Sequence, residues 1–191
     1  MKFRSLLLLG APGSGKGTQG QVLGQIPGFV HLSSGEFFRS LDPGSDVGKL
    51  FRQYSDRGQL VPDDFTIRVW QDHVQTLIAS GRYRPSTDFL VLDGIPRNVN
   101  QLTQLSASLD ILHVFHLSCP NREILIQRLA GRAHQGNRAD DADPKVILQR
   151  IAIYEAETKP LLGAIPRERL HDIDADQMPY QVLRQILQAL P

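Results

Sequence analysis

Nine consecutive residues, Gly10-Ala11-Pro12-Gly13-Ser14-Gly15-Lys16-Gly17-Thr18, follow directly on the apolar run Leu6–Leu9. Glycine, four residues, glycine and lysine is the spacing of a loop that cradles phosphate. Glycines without Cβ let consecutive N–H groups point into one concavity, and a helix beginning at Lys16 adds the positive end of its dipole. Lys16 then reaches the β and γ phosphates as a point charge. A glycine-rich surface turn has the same composition, but here strand, spacing, lysine and helix agree on a nucleoside triphosphate site. Gly17 stands where serine or threonine is usual, and Thr18 is displaced by one residue. A magnesium ion is therefore expected to be held mainly by phosphates and waters.

Asp93 ends a second apolar run, Phe89–Leu92, on the strand edge expected to carry the loop. A carboxylate there can hold Mg2+, directly or through water, or simply cap the following turn. Arginines are the remaining chemical resource: Arg39, Arg97, Arg128, Arg132, Arg138 and Arg150. Arg128 and Arg132 lie one helical turn apart and share a face. Taken singly, each is an ordinary surface arginine. Beside a phosphate loop they form a clamp, because phosphoryl transfer needs charge neutralisation and in-line placement more than a covalent nucleophile. The six histidines show no metal-ligand spacing.

The elements that must position these groups alternate. Strands are expected at Phe3–Leu9, Phe29–Leu32, Phe89–Leu92, Ile111–Leu117 and Leu170–Ile173, and helices at 16–25, 63–81, 101–109, 122–132, 146–158 and 180–190. Ser33 and Glu36 suit the two halves of a capping box, and 41–62, broken by Pro43-Gly44, Gly48 and Gly58, reads as a small helical insertion. Alternation of this kind builds a doubly wound parallel sheet with ligands outside the strand C-termini.

A length of 191 residues fits one domain with small insertions. A net charge of +1 supplies no basic field for nucleic acid. Arginine outnumbers lysine 16 to 5, which suits bidentate phosphate recognition and follows equally from codon usage. Cys119 is the single cysteine, so no disulfide framework or cysteine zinc site forms within one chain, as expected in the cytoplasm. Lys2 and Arg4 imitate the start of a signal peptide, but Leu6–Leu9 is too short an apolar core and no stretch reaches membrane-span length.

The phosphate loop, extended to Gln19, resembles that of adenylate kinases and their nucleoside-monophosphate kinase relatives. His31-Leu32-Ser33-Ser34-Gly35-Glu36 with Arg39, and Gly58-Gln59-Leu60-Val61-Pro62-Asp63, are similar to the two ends of that family's monophosphate-binding insertion. Leu92-Asp93-Gly94-Ile95-Pro96-Arg97 with Gln101 resembles the segment gripping the monophosphate, and Arg128-Leu129-Ala130-Gly131-Arg132 with Arg138-Ala139-Asp140-Asp141 resembles the lid edges. The resemblance implies a P-loop NTPase-type three-layer α/β/α domain with a five-stranded parallel sheet. Its core would be 1–32, 63–131 and 139–191, its insertion 33–62 and its short lid 132–138.

It also implies reversible transfer from MgATP to AMP, giving two ADP, with lid and insertion closing to exclude water. Gly13, Ser14, Gly15, Lys16, Gly17 and Thr18 would hold the ATP phosphates. Arg128 would stack on the adenine, which backbone near Gln177 would also meet. Arg39 and Arg97 would bind the AMP phosphate, Ser34 and Gln101 the base, and Gln59, Leu60, Val61 and Gly94 would line that pocket. Arg132, Arg138 and Arg150 would stabilise the transferring group, Asp93 would order magnesium waters, and Asp140 and Asp141 would pair with arginines on closure. A cytoplasmic monomer without nucleic-acid or membrane partners is expected.

Three positions depart from the family pattern: Glu36 for aspartate, Ile95 for phenylalanine, and one extra residue between Arg138 and Arg150. Asn98 is common in the pyrimidine branch, so a UMP/CMP kinase is the alternative, whereas Ser34 and Gln101 favour adenine. A gluconate- or shikimate-type kinase leaves both monophosphate motifs unexplained. A GTPase needs a guanine-reading Asn-Lys-x-Asp, which this sequence does not contain, and a non-catalytic nucleotide-binding protein is expected to have lost arginines or Asp93, none of which is missing.

Overall fold

The computed structural model describes residues 2–135 and 141–190. Its centre is β1 (Phe3–Gly10), whose alternate side chains serve two separate cores. Leu7 and Leu9 pack with Ile67, Trp70, Val74 and Leu77 of α4 (Asp63–Ala79) and with Leu105 of α5 (Val99–Leu105). Leu6 and Leu8 pack on the opposite side with Leu23 of α1 (Lys16–Leu23) and with Val182 and Ile186 of α9 (Pro179–Gln188). A strand buried on both faces reads as a continuous apolar run rather than an alternating one, which is why Leu6–Leu9 is unbroken. These two cores make the fold a three-layer α/β/α sandwich.

The sheet is wholly parallel, in the order β2 (Phe29–Ser33), β3 (Phe89–Asp93), β1, β4 (Leu109–Ser118), β5 (Leu170–Asp174). The chain winds to one side of β1 and then crosses to the other. Loops leaving β1 and its neighbours therefore diverge at the C-terminal edge, where doubly wound folds bind ligands. Leu8 is the register partner of Asp93, so the glycine loop and that carboxylate emerge side by side.

Between β2 and α4 lie α2 (Ser34–Ser40) and α3 (Asp46–Ser55). The two helices meet through stacked rings of Phe38 and Phe51, centroids 5.2 Å apart. On the far side α6 (Arg122–Gln135) and α7 (Pro144–Ile153) share a third cluster, Leu125, Leu129, Ile147 and Ile151, which closes on Ala11 of the loop. A π-helical turn, Tyr154–Thr158, continues α7, and α8 (Leu161–Ala164) returns the chain toward β5.

Two local expectations are corrected. The helix placed at 101–109 runs Val99–Leu105, because the Asn98 side chain caps it by accepting from the Gln101 N–H, and Leu109 already belongs to β4. The capping box at Ser33 is half formed. Ser33 Oγ accepts from the Glu36 N–H at 3.3 Å, but the Glu36 carboxylate turns away to accept from Gln21 Nε2 at 2.9 Å.

Candidate active site

Gly15 sits at φ +97° and caps α1, a left-handed conformation that glycine adopts without a Cβ penalty. The chain thereby turns from β1 into the helix within five residues, and Lys16 folds back over the loop. Its Nζ donates to the carbonyls of Gly10 and Ala11 at 2.8 and 3.0 Å. Burial lowers the Lys16 ammonium to about 8; Asp93 opposes that shift, while Arg97, Arg150 and Arg132 add to it. An ammonium held among three guanidiniums marks a place built for concentrated negative charge.

Asp93 is buried, and its Oδ2 would lie 3.7 Å from a Cβ placed on Gly17. A side chain at 17 would therefore begin in ordinary van der Waals contact with the carboxylate. No group of three or more histidine, cysteine or acidic side chains that could hold a metal occurs among the described residues. A single carboxylate beside a phosphate loop suits a hard cation that keeps most of its waters and takes its other oxygens from phosphates.

Gly94, at φ +79°, ties Ser34 and Arg97 together. Its carbonyl accepts from Ser34 Oγ at 2.8 Å and from Arg97 Nε at 2.7 Å. A Cβ here would approach Ser34 Oγ to 2.6 Å, so the turn cannot carry a side chain without displacing Ser34. Arg97 is held further by its backbone: its N–H donates to Gln101 Oε1 at 2.8 Å and its carbonyl accepts from Thr158 Oγ1 at 2.7 Å.

One cleft of about 340 Å³ joins the two halves. Gly13, Gly15, Lys16, Gly17, Thr18, Asp93, Arg132 and Arg150 line it on the loop side, and Ser34, Arg39, Gln59, Leu60, Val61, Gly94, Arg97 and Gln101 on the other. Ser14 is buried beneath the loop, its hydroxyl without a hydrogen-bond partner. Arg128 and Gln177 stand apart from this cleft but close to one another. Arg128 Nη1 donates to the Ala175 carbonyl at 2.9 Å, and Gln177 Nε2 donates to the Asp174 carbonyl at 2.6 Å, so one turn organises both. Arg138 and Asp140 lie outside the described residues, as do positions 136 and 137 of segment 132–138.

Asp141 is fully buried and pairs with both cleft arginines of this side. One carboxylate oxygen accepts from Arg132 Nε and Nη2 at 2.9 and 2.7 Å, and the other accepts from Arg150 Nη1. The extra residue before Arg150 thus does not carry it away from the cleft.

Several contributors escaped the motif reading. Asp63 opens α4 and accepts from Gln101 Nε2 (2.7 Å), Asn100 Nδ2 (2.7 Å) and Asn98 Nδ2 (3.0 and 3.2 Å). Burial pushes the Asp63 carboxyl up, but the donors Asn100, Gln101 and Asn98 outweigh it and hold the group below the usual range. Asn98 is thus occupied with Asp63 and with the α5 cap. His116, given no role from its spacing, links Asp172 (Nδ1···Oδ1 2.8 Å) to the cleft residue Tyr154 (Nε2···OH 3.0 Å). Asp172 is its direct register partner on β5. Burial pushes the Tyr154 phenol up to about 12, with Glu155 adding to the shift.

A phosphate loop at the switch point of a parallel α/β sheet, with arginines converging on it, defines a nucleotide-binding phosphotransfer fold. A family model described as adenylate kinase matches residues 8–168, and the chain belongs to the adenylate kinase family. Relatives named adenylate kinase include those of Mycobacterium tuberculosis H37Rv, 36% identical over 193 residues (97% of this chain, 98% of the relative), and of Mycobacterium ulcerans Agy99, 37% identical over 194 residues (97% and 98%). That of Borrelia recurrentis A1 is 30% identical over 214 residues (97% and 95%).

Proposed function

We propose that this protein transfers a phosphoryl group reversibly between MgATP and AMP, giving two ADP. The observation that carries this reading is one continuous cleft, with Lys16 and its loop on one wall and Arg97, Ser34 and Gln101 on the other. An oxygen of the AMP phosphate attacks the γ-phosphorus as the bond to the β–γ bridging oxygen breaks, and the electron pair leaves on ADP. The attacking oxygen is already ionised, so no side-chain base is required. Lys16, Arg132 and Arg150 stabilise charge on the transferring group, while Arg39 and Arg97 hold the acceptor phosphate in line. Arg128 and the turn at Gln177 take the ATP adenine. Arg138 is assigned to the same clamp as Arg132.

Mg2+ would be held by the nucleotide phosphates and by waters ordered on Asp93, and would supply charge neutralisation for the transfer. Asp93 orders those waters, and Gly17 leaves them room.

Segment 33–62, carrying α2 and α3, is proposed as the monophosphate-binding insertion and 132–138 as a short lid. Closure over the cleft excludes water, which would otherwise compete for the γ-phosphoryl group. The described residues contain no helix long and apolar enough to cross a membrane. A cytoplasmic monomer acting on free nucleotides is the simplest form of this reading. The pyrimidine-kinase alternative is not favoured, since the matching family and the relatives named above are adenylate kinases and Asn98 serves Asp63 and the α5 cap rather than the pocket.

ADP formation from MgATP with AMP, UMP, CMP or GMP as acceptor, each against a control without acceptor, tests the assignment. Strong preference for AMP is expected. Preference for a pyrimidine would overturn the reading of the base pocket.

A further inference from the structure

Gln101 faces the cleft but is 1% exposed, and each end of its amide is held by a group that cannot change sides. Its Nε2 donates to Asp63 Oδ1 at 2.7 Å, and its Oε1 accepts from the Arg97 N–H at 2.8 Å. An ionised carboxylate only accepts and a backbone N–H only donates. Rotating the amide by a half turn would set Oε1 against the carboxylate and the NH2 against an N–H, losing two hydrogen bonds and creating two repulsions. The orientation therefore follows from the partners' chemistry.

We infer that Asp63 is a specificity-determining positioning residue: it locks the Gln101 amide in one orientation, so that the remaining donor and acceptor meet adenine's edge and reject a 6-oxopurine. This rests on the reading of Gln101 as a base reader in AMP phosphorylation. A free glutamine amide is ambiguous. It pairs with the amino donor and ring-nitrogen acceptor of adenine, or after a flip with the 6-oxo acceptor and N1–H donor of hypoxanthine. A locked amide pairs with one of them alone, and a mismatched base leaves buried polar groups unpaired. Asp63 is itself held still. Asn98 and Asn100 supply its other donors, so each carboxylate oxygen has two partners. Their hydrogen bonds keep it ionised, and hence acceptor-only, throughout the neutral range.

The test is the ratio of kcat/KM for AMP over IMP in a mutant cycle of Asp63→Asn, Gln101→Ala and the double variant. Asparagine at 63 presents both a donor and an acceptor, so one of the two locks is released and a flipped Gln101 is opposed by the Arg97 N–H alone. The ratio should fall at least about tenfold in Asp63→Asn, mostly through KM for AMP. Adding Asp63→Asn to Gln101→Ala should not lower it further. Asp63→Ser, which keeps a small polar residue at the start of α4, replaces Asp63→Asn in the cycle if that variant does not fold. An unchanged ratio in a folded Asp63 variant, with both acceptors losing equally, would overturn the inference. A wild-type enzyme without preference for AMP over IMP would instead overturn the assignment of the base pocket on which it rests.

Discussion

Asp141 grips Arg132 through two guanidinium nitrogens, at 2.9 and 2.7 Å, and with its other oxygen it holds Arg150. A buried acid thus keeps two cleft arginines paired and partly neutralised. Asp141→Asn is expected to lower kcat by about 100-fold, because two transition-state donors lose their orientation. The same change should cost about 2 kcal/mol of stability. That is less than the ~3–5 kcal/mol of an orphaned buried charge, since the two arginines are partly open to water. Steady-state kinetics and urea denaturation of the same preparation separate the two effects.

Lys16→Met should reduce kcat/KM by at least about 100-fold while leaving the circular dichroism spectrum unchanged. Its two hydrogen bonds are to the backbone carbonyls of Gly10 and Ala11, and its own side chain belongs to none of the three apolar clusters. Arg97→Ala should lose as much with AMP as the varied substrate, again with the fold intact. Near-normal turnover in either variant contradicts the role given to it.

Lys16 also sets a pH dependence. The free enzyme loses this charge as pH rises through about 8, so kcat/KM for MgATP should fall above pH 8. Bound phosphates raise the lysine's pKa, so kcat should persist to higher pH. Stability has the opposite sign. The folded-state value lies below the ordinary 10.5, so the unfolded chain binds more protons between about 8 and 10.5 and Lys16 makes the ligand-free protein relatively more stable as pH rises through that window. A pH series of kcat/KM and of the urea midpoint, with Lys16→Met as reference, checks both.

His113 and His171 face each other across β4 and β5, with Nδ1···Nε2 at 3.0 Å. Burial holds His113 below its ordinary value, with His171 adding to the shift, and burial likewise lowers His31 and His73. A folded value below the unfolded one means that their contribution is complete above about pH 6.5 and is lost as pH falls below it. The urea midpoint should therefore drop between pH 7.5 and 5. His113→Phe should shallow that slope.

What was legible in the sequence was local. Gly10 to Thr18, Gly94 to Arg97 and the apolar stripe Ile67, Trp70, Val74 and Leu77 each express their structure within a few residues. The five strands were placed within a residue or two for the same reason, since a buried parallel strand is a short apolar run. Partnerships chosen by register or by helix packing were not legible. Asp172 meets His116 because β4 and β5 pair in one register. Asp63 meets Gln101 because α4 and α5 start beside each other under the cleft. Nothing in the composition near Asn98 says that its amide belongs to an acid 35 residues earlier, so its likeness to the pyrimidine branch pointed away from its structural task.

Reversible transfer between two nucleotides in one cleft is tested most directly by supplying MgADP alone and following all products. ATP and AMP are expected in equal amounts with no inorganic phosphate, and both should be lost in Lys16→Met. Formation of AMP and phosphate without ATP, or no turnover of ADP, would contradict reversible transfer.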